Sequence, residues 1–202
     1  MAGAALICGA ILAAVRAVNA TLPVHLPGWS PGGQALAPAA CQTSIDTRLA
    51  AMHDAPGGFT GAGHHPYCFN GPLAFGMPTH KDWNPFQQTP DVYAAAKAAG
   101  CAGPMALSEY GCPSAGTQDE YPQQTFTEDI QESIIVEYLV GFAAQMKAGI
   151  PIAYMGLSTA IDGEASTRPL ENSMGMFRAN GSEKPAAQHI RAQAHLPYPV
   201  AA

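Results

Sequence analysis

The sequence predicts an α/β protein with a parallel sheet: a leading helix and then four β-loop-α units, half of an eight-stranded (β/α)8 barrel. Three observations carry that reading. Short apolar runs alternate with longer stretches of helical periodicity, the order that crossover connections produce. Each short run leads into a loop marked by glycine or proline. The 202 residues, 48% hydrophobic and 12% charged, suit one domain over 1–202 with a buried core, and they argue against a disordered chain.

The first helix rests on Leu6, Ala10, Ala13, Ala14 and Ala17, with Ile7, Ile11 and Val18 widening the apolar face, and it ends near Asn19. The same stretch invites a second reading, because Ala2 to Val15 is apolar and Val18-Asn19-Ala20 resembles a leader cleavage site. No basic residue precedes the run, and its 14 residues are too few to cross a bilayer, so a barrel helix is preferred. Val24-His25-Leu26 is the first strand. It runs into the loop Pro27 to Gly33, where Trp29 is either a stacking platform for a sugar ring or a core aromatic. Thr43 to His53 is the next helix, with Ile45, Leu49 and Met52 on one face, broken by Gly57-Gly58. Phe59 to Gly63 is the second strand and ends in His64-His65-Pro66-Tyr67. The loop from Cys68 to Pro90 holds Trp83, Phe86, His80 and Asp82; a loop this long inside a domain is commonly functional, and its aromatics could line a cleft.

Asp91 to Ala99 is a helix closed by Gly100. Met105 to Ser108 is the third strand, with Glu109 at its C-terminal end and Gly111 turning the backbone away. In parallel α/β proteins those strand ends face one crevice, so a carboxylate there is a catalytic candidate by position, with an exposed loop glutamate as the plain alternative. A loop from Pro113 to Thr125 precedes the strongest helix, whose stripe is Ile130, Ile134, Tyr138 and Phe142 with Leu139 and Met146 beside it, capped by Gly149. Ile150 to Met155 is the fourth strand, and the loop beyond carries Asp162 and Glu164. The last helix starts after Lys184-Pro185 and runs through Arg191.

Fifteen acidic against nine basic residues give a net charge of −6, and the absence of a basic run argues against nucleic acid as a partner. The five cysteines, Cys8, Cys41, Cys68, Cys101 and Cys112, form no CxxC pair. Cys101 and Cys112 flank the Glu109 strand and could pair, although buried free thiols are the preferred state. His64-His65 suggests a metal at first sight, but neighbours on a strand point apart and no HExxH completes a site, so neither metal nor cofactor is expected. Ser108 precedes the candidate glutamate without a nucleophile-elbow motif around it, and no phosphate-cradling loop is present.

Three pieces in order, Gly63 to Tyr67, Leu107 to Gly111 and Gly175 to Ala186, resemble the C-terminal half of retaining glycoside hydrolases on the TIM barrel. That clan holds cellulase-like and xylosidase-like enzymes, including family 5 and family 39 relatives. The resemblance spans residues 5–192, and Ala13 to Gly32 resembles the helix before strand five and that strand itself, so strands five to eight would be present. It implies that Glu109 is the nucleophile at the end of strand seven. It implies that His65 and Tyr67 bound the sugar subsite and orient that nucleophile, and that Phe177 to Pro185 is a structural entry to helix eight. Strand eight of such enzymes often carries a tryptophan under the sugar; here Ala153-Tyr154-Met155-Gly156 offers Tyr154 instead.

The family's acid/base, a glutamate after an asparagine on strand four, has no counterpart, because the chain holds no Asn-Glu pair. Retaining hydrolysis uses two carboxyl groups, one attacking and one protonated. Asp162 and Glu164, on the loop after strand eight, are the alternatives for the acid, with solvated loop charges as the plainer reading, and Asp54 and Asp82 are weaker. The expectation is a truncated glycosidase, weak or inactive alone, acting on an oligo- or polysaccharide and spanning no membrane. An N-terminal half-barrel or a second copy would complete it. The competing expectation is a non-catalytic carbohydrate-binding or structural half-barrel, such as a phage or cell-surface component, and an extracellular or virion setting suits either.

Overall fold

The computed structural model describes residues 2–25, 28, 59–67, 86–98, 100–118, 124–163 and 169–194, with side chains from residue 9 onward. The expected helix Thr43 to His53 and most of the Cys68 to Pro90 loop lie outside these residues, and with them Trp29, Trp83, Asp54, Asp82 and Glu164. The elements in chain order are α1 (Ala2–Val18), β1 (Gly63–His64), α2 (Thr89–Ala98), β2 (Met105–Tyr110), β3 (Thr117–Gln118), β4 (Gln124–Thr125), α3 (Glu128–Lys147), β5 (Ile152–Leu157), α4 (Pro169–Asn172) and α5 (Pro185–Ala194). They divide into two units, one of residues 1–67, 77–110 and 144–156, the other of 68–76, 111–143 and 157–202.

The first unit holds a small parallel sheet in the order β1-β2-β5. β1 pairs with β2 so that Gly63 faces Ala106 and His64 faces Leu107. Met105, Ala106 and Leu107 are buried to 1% exposure or less, as an apolar run covered on both faces should be. Of the expected first strand, Leu26 lies outside the described residues; His25 makes a parallel bridge to Gly61, and the Thr60 N–H donates to the Val24 carbonyl at 2.7 Å. Pro23 precedes that strand, and a proline has no N–H to give a ladder. Ala153, Tyr154 and Met155 of β5, the fourth strand of the reading, are exposed, at the end of the sheet order.

Two helices in the chain end in the same way and feed strands. After α2, the Gly100 N–H donates to the Lys97 carbonyl at 3.0 Å and the Cys101 N–H to the Ala96 carbonyl at 2.9 Å. After α3, Gly149 donates to Met146 at 3.0 Å and Ile150 to Gln145 at 3.1 Å. Both are Schellman closures, which place the glycine in the left-handed region, at φ 88° and 96°. The next residues, Cys101 and Ile150, are buried, so each chain turns directly into the core and on to β2 or β5. α2 starts two residues earlier than expected, since Pro90 in a first turn loses no hydrogen bond.

α1 forms as expected, but among its residues from 9 onward Leu12 is the buried one, while Ala10, Ala13, Ala14, Ala17, Ile11 and Val18 are exposed. A helix that is apolar nearly all round gives periodicity no single face to choose.

In the second unit, β3 and β4 pair antiparallel, with Thr117 opposite Thr125. Strands of two residues carry no periodic signal, and the sequence reading has a loop there. α3 is capped by Thr127, whose Oγ1 accepts the Ile130 N–H at 3.2 Å. It buries Gln131, Ile134, Ile135, Tyr138 and Phe142, and the Tyr138 and Phe142 rings stack at 5.7 Å. Met146, placed beside the stripe in the sequence reading, is 49% exposed. Cys101 and Cys112 are buried free thiols and not a disulfide. Burial pushes the Cys101 thiol above its ordinary pKa, and the Cys112 Sγ–H donates to the Gln131 carbonyl at 3.7 Å.

Candidate active site

The site is built by the end of β1 and the end of β2. The parallel register, carried one residue past His64 and Leu107, sets His65 beside Ser108. Residues in register share a face of the sheet, and the His65 Nε2 and Ser108 Oγ are 3.0 Å apart. Pro66 then turns the chain: the Tyr67 N–H donates back to the His65 carbonyl at 2.9 Å, a three-residue γ-turn whose central φ the proline ring presets. That turn brings two rings to one carboxylate. The Tyr67 hydroxyl donates to Glu109 Oε2 at 3.2 Å, and His65 Nδ1 is 3.5 Å from the same oxygen.

Burial lowers the His65 pKa below its ordinary 6.5, and the Glu109 charge offsets part of that shift. The ring is therefore neutral at pH 7. With Nδ1–H towards Glu109, Nε2 is the acceptor for the Ser108 hydroxyl. The Glu109 side chain is 48% exposed and His65 only 18%, so the carboxylate faces solvent from a half-buried support.

Glu109 is the fifth of six strand residues, not the first residue beyond the strand. The structure thus brings His65, Tyr67 and Glu109 together and adds Ser108, which the sequence reading set aside. It also adds Gly28: a Cβ there would collide with the His65 ring and the Ser108 hydroxyl. Tyr154 stands on β5, 52% exposed, edge-on to the His25 ring with centroids 6.2 Å apart.

Asp162 is engaged within the second unit. Its Oδ1 accepts from Lys184 Nζ at 2.6 Å and from the Gly175 N–H at 2.9 Å, which makes it a structural carboxylate of the second unit. The ion pair depends on Lys184, buried in the Lys-Pro motif that opens α5. Among the described residues of the unit that holds Glu109, the other carboxylate is Asp91, in the first turn of α2.

Among the described residues no group of three or more His, Cys, Asp or Glu side chains could hold a metal ion, and no helix is long and apolar enough to cross a membrane.

No family model matches this chain, and no curated protein matches it. Solved structures similar to it include a β-D-glucuronidase for Dictyoglomus thermophilum, at 16% identity and TM-score 0.49, covering 90% of this chain and 27% of that one. A β-glucuronidase of Ruminococcus gnavus aligns at 13% and 0.47, covering 88% and 32%. A GH2 β-galacturonidase from Eisenbergiella tayi aligns at 10% and 0.48, covering 82% and 31%. The chain thus spans about a third or less of the length of each. At this level of likeness the functional reading rests on the residues themselves.

Proposed function

We propose that this chain carries the nucleophile side of a retaining glycoside hydrolase site, with Glu109 the nucleophile. The observation that carries the reading is the convergence of the Tyr67 hydroxyl and His65 Nδ1 on Glu109 Oε2, at the C-terminal end of a parallel strand. The Tyr67 hydroxyl on one side and the His65 ring on the other fix the carboxylate's rotation. In this reading Oε1 is the attacking atom, and exposure of the side chain gives an anomeric carbon its approach.

We further propose that the bridge at His25, β1, β2 and β5 are strands five to eight of a (β/α)8 barrel. Their chain order equals their spatial order, and right-handed βαβ connection gives that arrangement. The substrate class is an oligo- or polysaccharide, with Tyr154, Trp29 and Trp83 as candidate stacking surfaces.

Retaining hydrolysis places the second carboxyl about 5–5.5 Å from the nucleophile. Asp162 is engaged by Lys184, which favours a second reading: a carbohydrate-binding half-barrel without turnover by this chain alone.

One experiment separates the two. An activated aryl glycoside bearing fluorine at C2 needs little protonation of its leaving group, so it can glycosylate Glu109 without an acid. Intact mass with peptide mapping should find the sugar on Glu109 and lose it in Glu109→Gln. No adduct alongside retained glycan binding selects the binding reading. Fast turnover of an unactivated oligosaccharide would mean that an acid operates within this chain, since losing one typically costs ~10²–10⁴ in rate.

A further inference from the structure

Ser108, His65 and Glu109 stand in the order of a nucleophile, a base and the carboxylate that orients the base. Ser108 Oγ is 3.0 Å from His65 Nε2, and Glu109 Oε2 is 3.5 Å from His65 Nδ1, on the opposite side of the ring. This is the connectivity by which a serine hydroxyl is activated on unrelated folds, recognised by geometry and not by chain order. The hydroxyl is within reach of the base, and the base–carboxylate contact has the looser length common in sites without substrate.

We propose that this constellation is an acyl-transfer site, a Ser108–His65–Glu109 triad that accepts small carboxylic esters, and this goes beyond the glycosidase reading. Ser108 Oγ attacks the ester carbonyl carbon while its proton passes to His65 Nε2, and the C=O electron pair moves to oxygen. Collapse of that adduct expels the alcohol oxygen, which takes the proton back from His65. Water then attacks the acyl-Ser108 carbonyl, giving one proton to His65. Ser108 leaves as the hydroxyl on receiving it, and the carboxylic acid is released. The sum is ester plus water to acid plus alcohol, with Glu109 an ionised carboxylate throughout, facing the transient imidazolium.

Three further observations fit. Burial keeps the His65 ring neutral at pH 7, so Nε2 has a lone pair for the proton. Ser108 is intermediate in burial, at the open end of β2 and not among its fully buried residues. Gly28 lies so close that any side chain there would displace both partners of the hydrogen bond.

The test uses an alkyl fluorophosphonate, whose phosphorus is attacked by an activated serine with loss of fluoride. On the full chain at pH 7.5, intact mass and peptide mapping should place one phosphonyl group on Ser108. Ser108→Ala should abolish it. Glu109→Gln should slow it at least tenfold, and Ser182→Ala, at an exposed serine, should leave it unchanged. p-Nitrophenyl acetate should show a burst of one equivalent that Ser108→Ala removes, with far-ultraviolet circular dichroism reporting that the variant is folded. Wild-type protein that stays unlabelled at Ser108 overturns the proposal, and so does labelling as fast in His65→Gln as in wild type. Neither result bears on the sugar adduct at Glu109, so the two readings stand or fall separately.

Discussion

Replacing Lys184 with methionine tests how the second unit is held together. The Lys184 side chain is 1% exposed, and its ammonium donates to Asp162 Oδ1 at 2.6 Å, Ser114 Oγ at 2.7 Å and the Ser173 carbonyl at 3.1 Å. A buried ammonium is tolerable here because each of its three N–H groups has an acceptor. Methionine keeps the volume and removes the charge. Asp162, 17% exposed, then loses its cation, and two buried oxygens each lose a donor. Removing one partner of a buried pair costs about 3–5 kcal/mol, and the partial exposure of Asp162 sets the expected loss at the lower end, about 3 kcal/mol. Urea unfolding followed by circular dichroism should show that loss as a lower midpoint at unchanged slope. Adding Asp162→Asn removes the orphaned charge and keeps an oxygen for the Gly175 N–H, so the double variant should recover about 1 kcal/mol or more. A cost under about 1 kcal/mol for the single change, or no recovery in the double, would refute the argument that this pair is what burial demands.

Burial lowers the His65 pKa below 6.5, so as pH falls through 6.5 the unfolded chain takes up a proton that folded His65 resists. That group therefore lowers stability below pH 6.5, has no effect well above it, and stops contributing further once the folded ring titrates. The urea midpoint of His65→Gln should fall less between roughly pH 7 and 5 than that of wild type, and that of Glu109→Gln should fall more, because Glu109 raises the His65 pKa; equal slopes would contradict this. Gly28→Ala drives a Cβ into His65 and Ser108, and overpacking of this kind costs typically 1–3 kcal/mol, read as a lowered melting temperature together with loss of the Ser108 label. Cys101 and Cys112, buried and free, should resist iodoacetamide in the folded protein and react in urea, as peptide mapping will report. The exposed Tyr154 and Met155 on β5 should promote self-association, so Tyr154→Lys should reduce the rise of light scattering with concentration.

The sheet was legible where a strand is short, mostly apolar and bounded by breakers. Met105 to Ser108 has that pattern, and so does the run after Gly149. Those glycines were readable because a Schellman closure needs the left-handed region and glycine reaches it at least cost. The pattern could not say which face of an apolar helix is buried, so α1 shows Leu12 inward where the reading has Ala10, Ala13 and Ala17. It could not state which strand residues stay exposed, since that depends on neighbours along the sheet; on β5 these are Ala153, Tyr154 and Met155. Gln131 was invisible for a related reason. Its Nε2 donates to the carbonyls of Cys112, Gly175 and Ser173 at 3.0, 3.2 and 3.4 Å, a polar post set among backbone segments that only the fold brings together.

The convergence on Glu109 was legible further than the fold around it, because His65, Pro66 and Tyr67 make their geometry locally and Glu109 sits near a strand end. Ser108 was not, since its partner is set by register, which a single sequence does not state. The register also shows where the two proposed chemistries part. As a nucleophile towards sugar, Glu109 must bond carbon through a carboxylate oxygen and give up its charge. As the orienting member of a triad it must stay ionised while His65 becomes cationic. One carboxylate cannot do both in one turnover, so the substrate decides. His65 takes part in both proposals, and its loss should damage each. Ser108 is needed for one alone: glycosylation of Glu109 requires no serine hydroxyl, and acyl transfer requires it absolutely. Ser108→Ala should therefore keep the fluorosugar adduct on Glu109 while losing the phosphonyl label. Loss of both in a folded variant would mean that the serine acts on Glu109 only through the His65 ring it holds in place.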